Sequence, residues 1–184
     1  EETIIACDSY ERNGQIYTES GIYSFSENTN NQSSQNFDGQ DDFITIDNTS
    51  SFNIENSFRV GAWYKYNGNF NGDAHIIGKW HESLGKSWAL CIQASSQQPY
   101  FVLRNGGNVI CASNNPIQIN EWNYISATLD GDTIKLFING IQENSTAYSN
   151  SPNNSDSDIN IGSSNNGITG NSSSNIDELT VWQS

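Results

Sequence analysis

The sequence predicts an all-β domain, a two-sheet antiparallel jelly-roll sandwich, and three observations predict it. Apolar and polar residues alternate with period two in one short run after another, the pattern of a strand with one buried face. Turn dipeptides stand between the runs, and Asp130-Gly131 and Asn139-Gly140 are the best of them, since both tolerate the positive φ of a tight hairpin. Helical spacing of apolar residues never lasts beyond a turn or two. Strands that follow one another about every 10 residues fit a sandwich or jelly roll, with a closed barrel as the alternative.

Length and composition allow such a core. A chain of 184 residues makes one domain with at most a short appendage, and buries roughly two-thirds of its unfolded surface without metal or disulfide. Hydrophobic residues are only 34% of the chain, but aromatics reach 11%, which a disordered chain would lack. Seven Lys and Arg face 21 Asp and Glu, a formal charge of -14. That excess disfavours nucleic acid and anionic lipid as partners and favours hard cations. No apolar run approaches the ~20 residues of a membrane span, so membrane insertion is not expected. The chain opens on Glu1-Glu2-Thr3 and contains no Met, and it reads as part of a longer multidomain chain, secreted or at the cell surface.

In order along the chain, residues 1–25 form an N-terminal piece, expected as a hairpin around Asn13-Gly14 or a strap from a preceding repeat. Residues 26–184 form the main domain. Two Asn/Ser-rich stretches, 26–35 and 149–157, offer no core-forming side chains and read as loops. Strands are predicted at 42–46, then over 58–65, where Phe58, Val60, Ala62 and Tyr64 alternate against Arg59, Gly61, Trp63 and Lys65. Trp88, Leu90 and Ile92 share one face of the next run. Further strands follow at 100–104, 108–112, 122–129, 133–139, 159–162 and 176–182. Residues 78–88 interrupt this pattern and read as an aromatic loop. Trp63, Trp122, Phe137 and Trp182 each lie in an alternating run and are expected in the core.

The odd cysteine count leaves pairing among Cys7, Cys91 and Cys111 open. A strand at 100–104 between Cys91 and Cys111 would hold those two about 10 Å apart, beyond the ~7 Å reach of a disulfide. Pairing of Cys7 with either remains open, as do three free thiols.

Four stretches in this order and spacing resemble a laminin-G-like, concanavalin A-like jelly roll over roughly residues 37–182. They are Phe37-Asp38-Gly39-Gln40-Asp41-Asp42-Phe43-Ile44; Phe58 through Lys65; Asn120-Glu121-Trp122-Asn123-Tyr124 through Asp130-Gly131 to Leu136-Phe137-Ile138-Asn139-Gly140; and Ile161-Gly162 with Ile176-Asp177-Glu178-Leu179-Thr180-Val181. The resemblance implies two curved sheets with the first and last strands adjacent, and an extracellular role in binding carbohydrate or protein. It also implies a place for calcium: Asp38, Asp41 and Asp42 crowd an acidic turn, and Asp177 would approach them if the end strands are neighbours. Calcium takes six to eight oxygens from such flexible loops.

For a glycan ligand the expected contacts are Trp80, whose ring would stack on a sugar, with His81 and Arg104 supplying hydrogen bonds. The alternative for Trp80 is a ring folded back over the sheet edge. Two histidines, His75 and His81, lack a third ligand and make no zinc site. No enzyme is expected. Retaining glycosidases need carboxylates about 5–5.5 Å apart, and no Glu-x-Asp-x-x-Glu run exists; Glu121 and Glu143 stand alone. No Gly-x-Ser-x-Gly turn or Gly-rich phosphate loop appears either. The function expected is therefore a carbohydrate-binding module with a structural calcium, or else an adhesin spacer without sugar specificity.

Overall fold

A computed structural model describes residues 10–12, 15–17, 34–54, 57–68, 72–149 and 151–183. Contacts divide the chain into two units, Glu1–Gln32 and Ser33–Ser184. In the first, β1 (Tyr10–Arg12) and β2 (Gln15–Tyr17) pair antiparallel, with Arg12 opposite Gln15. Cys7, Asn13-Gly14 and residues 26–33 lie outside the described residues.

The second unit holds two six-stranded antiparallel sheets. Its strands in chain order are β3 (Gln35–Asp38), β4 (Ile44–Ile46), β5 (Ser57–Tyr66), β6 (Ala74–His81), β7 (Gly85–Ile92), β8 (Pro99–Asn105), β9 (Gly107–Ala112), β10 (Trp122–Asp130), β11 (Thr133–Ile138), β12 (Ile141–Ala147), β13 (Ile159–Ile161) and β14 (Ser173–Gln183). The first sheet runs β12-β11-β10-β5-β14-β3 and the second β4-β13-β6-β7-β8-β9. The first and last strands, β3 and β14, are hydrogen-bonded neighbours, as the resemblance implied.

Inward alternation builds the core. Phe58, Val60, Ala62 and Tyr64 from β5 and Ile125, Ala127 and Leu129 from β10 meet Trp88, Leu90 and Ile92 from β7 and Phe101 and Leu103 from β8. Burying each such side chain contributes about 1.5–3 kcal/mol. The Asn139-Gly140 turn between β11 and β12 has φ of 51° and 79°, both left-handed, as a two-residue hairpin of this twist requires. Asn139 also accepts a bond from the Tyr124 N–H through Oδ1, which ties the turn to β10.

Two expectations are corrected. Trp63, Trp122 and Trp182 are 36%, 40% and 55% exposed, and Phe137 is half-buried, so none of the four is core. Strict alternation with the buried residues beside them turns Trp63, Trp122 and Phe137 to the outer face of the first sheet. Residues 78–88 are no loop. They are the ends of β6 and β7 joined by a tight turn, with His81 opposite Gly85. The described residues of 149–157 form no strand or helix, as expected of a loop, and the segment is packed: Pro152, Ser155 and Ser157 are buried, the Asn153 N–H donates to the Arg104 carbonyl, and Asn105 Nδ2 donates to the Ser151 carbonyl.

Cys91 and Cys111 are free, buried thiols on either side of β8. Burial pushes the Cys91 thiol far above its ordinary pKa, so it stays protonated and inert. Among the described residues no helix is long and apolar enough to cross a membrane.

Candidate functional site

Three places on the second unit hold the chemistry. The first is the turn after β3. Carboxylate oxygens of Asp38, Asp41 and Asp42 all lie within 4.8 Å of one another, and all three residues are exposed. Asp38 shapes the turn, accepting from the Gln40 N–H at 2.7 Å, while the Asp38 N–H donates to Asp42 Oδ2 at 3.1 Å. Gly39 carries φ +82°, and a Cβ there would meet Ser173 Cβ at 2.9 Å. From the loop before β14 the Asn171 amide donates through Nδ2 to the Gln40 carbonyl, and its Oδ1 is buried with no partner. Carboxylate and amide oxygens are hard donors of the kind that calcium takes.

Asp177 does not join them. Asp38 pairs with Ser173, four residues earlier on β14, and four residues of strand span ~13 Å. The end strands are neighbours, but their register carries Asp177 away from the turn, to a position opposite Trp63.

The second place is the outer face of β6–β9. Trp80 is half-buried and folds back over Ala89, Cys91 and Val102, with Lys86 Nζ 5.5 Å from its ring centroid. His81 caps the β6–β7 turn: its Nδ1 accepts from the Ser83 and Leu84 N–H groups at 3.1 and 3.2 Å. Arg104 donates from Nη1 to Asn108 Oδ1 at 2.8 Å. Trp80 and Asn108 line one shallow cleft, whereas His81 stands outside its lining.

The third place was missed by sequence reasoning. It is a groove of about 730 Å³ on the outer face of the first sheet. Its floor is a row of neighbours in register, Thr180, Gly61, Ser126 and Phe137. One end is walled by Trp182 and Arg59, the guanidinium carbon 5.6 Å from the indole centroid. Tyr124 walls the other end, and Trp63 continues the aromatic row at 5.6 Å between centroids. Lys135 lines the rim, 3.7 Å from Asp130. Gly61 makes the floor low, since a Cβ there would sit 2.7 Å from Tyr124 Oη. The signal existed in the sequence, because an inward Val60 and Ala62 force Gly61 and Trp63 outward.

The match to known families is decisive at this point. The family model of the Concanavalin A-like lectin/glucanases superfamily (laminin G type) matches residues 38–184. The chain belongs to this superfamily.

Several solved structures are similar to this fold. Domain 4 of AbnA, an extracellular arabinanase from Geobacillus stearothermophilus, in complex with arabinotriose, matches with TM-score 0.65 and 15% identity over 90% of this chain and 77% of that one. The IT-sialidase CBM40 of Ruminococcus gnavus, bound to α2,3-sialyllactose, gives TM-score 0.59 and 13% identity over 76% and 89%. A NanB–Optactamide complex gives 0.65 and 15% over 81% of this chain, which spans only 25% of NanB. At these identities the structural likeness shows the fold alone. No curated protein matches the sequence.

Proposed function

We propose that the chain is a non-catalytic carbohydrate-binding module of a secreted or surface protein, and that its glycan lies along the groove over Gly61. The groove itself carries the reading: Trp182 and Tyr124 wall a floor in which Phe137 lies beside small residues, with Arg59, Ser126 and Thr180 offering hydrogen bonds. Sugar rings present an apolar face to aromatic rings and hydroxyls to polar groups, and this mixture serves both. An open groove on a sheet face also admits a chain longer than one residue. The superfamily fold and the sugar complexes of the arabinanase and CBM40 domains support the same reading.

The turn after β3 would hold a structural calcium ion, through Asp38, Asp41, Asp42 and Asn171. Bound there, the ion would clamp the β3 end against the start of β14 and so fasten the sheet edge.

Affinity electrophoresis and calorimetry against plant, algal and host polysaccharides, arabinan and sialyllactose among them, test the module. At least one should retard the chain, and Trp182→Ala should weaken that binding at least tenfold. Silence across the whole panel would favour an adhesin spacer.

A further inference from the structure

The cleft on the opposite side of the sandwich holds a feature that the groove does not explain. His75 is 8% exposed, and its Nδ1 is buried without a hydrogen-bond partner. A buried polar atom with no partner is costly, and native structures keep few of them. The His75 ring lies 6.3 Å from that of Trp80, in a row of strand neighbours that runs His75, Cys91, Tyr100, Ala112. This row and the next enclose a cleft of about 300 Å³.

The lining is divided by chemistry. Val102, Ile110 and Ala112 give an apolar floor, and Ile110 is 48% exposed. Polar groups converge from the rim. Asp73 accepts from the Tyr100 hydroxyl at 2.9 Å and from the Ala94 N–H at 2.9 Å, which fixes its carboxylate in place. Asn108 accepts from Arg104 through Oδ1, which turns its Nδ2 hydrogens to other uses.

Charge decides which ligand this arrangement suits. Among the described residues Asp73 is the one acid in the lining, while Lys86 stands over Trp80 and Arg104 on Asn108. Lys86, paired with Glu82 at 2.7 Å, already lies over the Trp80 ring, so a second cation would find that ring face occupied. Burial holds the His75 imidazole neutral at ordinary pH, with its pKa pushed down to about 4. A neutral molecule with an apolar face and several hydroxyls answers every part of the lining. The volume lies at the small end of ligand sites, the scale of one sugar ring.

We propose that this cleft is a second binding site, for a single neutral hexopyranose unit, with His75 Nδ1 hydrogen-bonded to one hydroxyl and Asp73 and Asn108 to others. It shares a ligand class with the groove on the first sheet but none of its residues, so either site can fail alone.

The chain has two histidines, which makes the imidazole C–H signals easy to follow. The test is an NMR titration of the chain with the methyl glycosides of glucose, galactose and mannose. At least one should move the His75 ring and Trp80 indole signals saturably and leave those of His81 in place. His75→Phe should weaken the response at least tenfold, while Trp182→Ala leaves it unchanged. Ile110→Trp fills the cleft from an exposed position, and it should abolish the response even if the His75 variant does not fold. No shift with any of the three glycosides overturns the proposal. So does a shift that survives Ile110→Trp, or tighter binding of tetramethylammonium at the same signals.

Discussion

The Phe58 and Trp88 rings meet with centroids 4.8 Å apart and join the two sheets through the middle of the sandwich. Trp88 is fully buried and also donates from Nε1 to the Phe52 carbonyl. Trp182, on the outer face, is 55% exposed and touches Arg59. Trp88→Ala should therefore destabilise the domain by about 3–5 kcal/mol. Trp182→Ala gives up an exposed cation–π contact worth about 0.5–1 kcal/mol. Urea midpoints compare them directly, and equal losses would contradict the assignment of faces.

The same contrast shows how much the sequence carried. The buried partners of β5 were legible because Phe58, Val60, Ala62 and Tyr64 obey one period without interruption. Trp63 was misplaced by its size, since a large aromatic is usually buried and that general preference was given more weight than phase. At Trp182 phase itself breaks. The register between β14 and β5 shifts between Asp177 and Thr180, where Glu178 takes φ 45°. Such a bulge moves every later side chain to the opposite face, and nothing in Asp177-Glu178-Leu179 announces it. The proposed calcium site shows a similar divide. Three acids in five positions are plain in sequence, whereas Asn171, in the loop before β14, reaches the Gln40 carbonyl from 131 residues away and Asp177 is removed by four residues of register.

The acidic turn should respond to calcium. Three carboxylates within 4.8 Å repel one another without a cation, and Asn171 Oδ1 lacks a partner. Added calcium should raise Tm by several degrees, and chelator should reverse the gain. Asp41→Asn should reduce the calcium-dependent part while leaving Tm in chelator equal to or above that of the parent chain, because one repelling charge is gone. A Tm indifferent to both calcium and chelator would remove the structural ion.

Acid should destabilise the domain through His75. Desolvation depresses its pKa from 6.5 to about 4, with Asp73 raising it and Lys86 lowering it by smaller amounts. Below pH 6.5 the unfolded chain takes up a proton that the folded chain refuses until about pH 4. Stability is thus intact above 6.5 and declines as pH falls through that window, by about 3 kcal/mol in all. Carboxylates add their own pH dependence, so the useful quantity is a difference. Urea unfolding of the parent chain and of His75→Phe at pH 7 and pH 4.5 should show the variant losing about 2–3 kcal/mol less. Parallel losses would mean that the imidazole is protonated in the folded state.

Gly61 and Tyr124 set the depth of the groove. A Cβ at position 61 would stand 2.7 Å from Tyr124 Oη and 2.9 Å from Ser126 Cβ. Gly61→Ala must therefore push the Tyr124 ring away from position 61, against its packing on Trp63 at 5.6 Å. Crowding of this kind costs about 1–3 kcal/mol, and the displaced ring obstructs the groove, so glycan affinity should fall at least tenfold. Tyr124→Phe removes the hydroxyl that the new methyl group meets. In the Gly61→Ala background it should recover part of the lost stability, although alone it is nearly neutral. A double-mutant cycle measures that coupling. Zero coupling would place Tyr124 clear of Gly61 and leave the groove without the floor on which the proposed glycan rests.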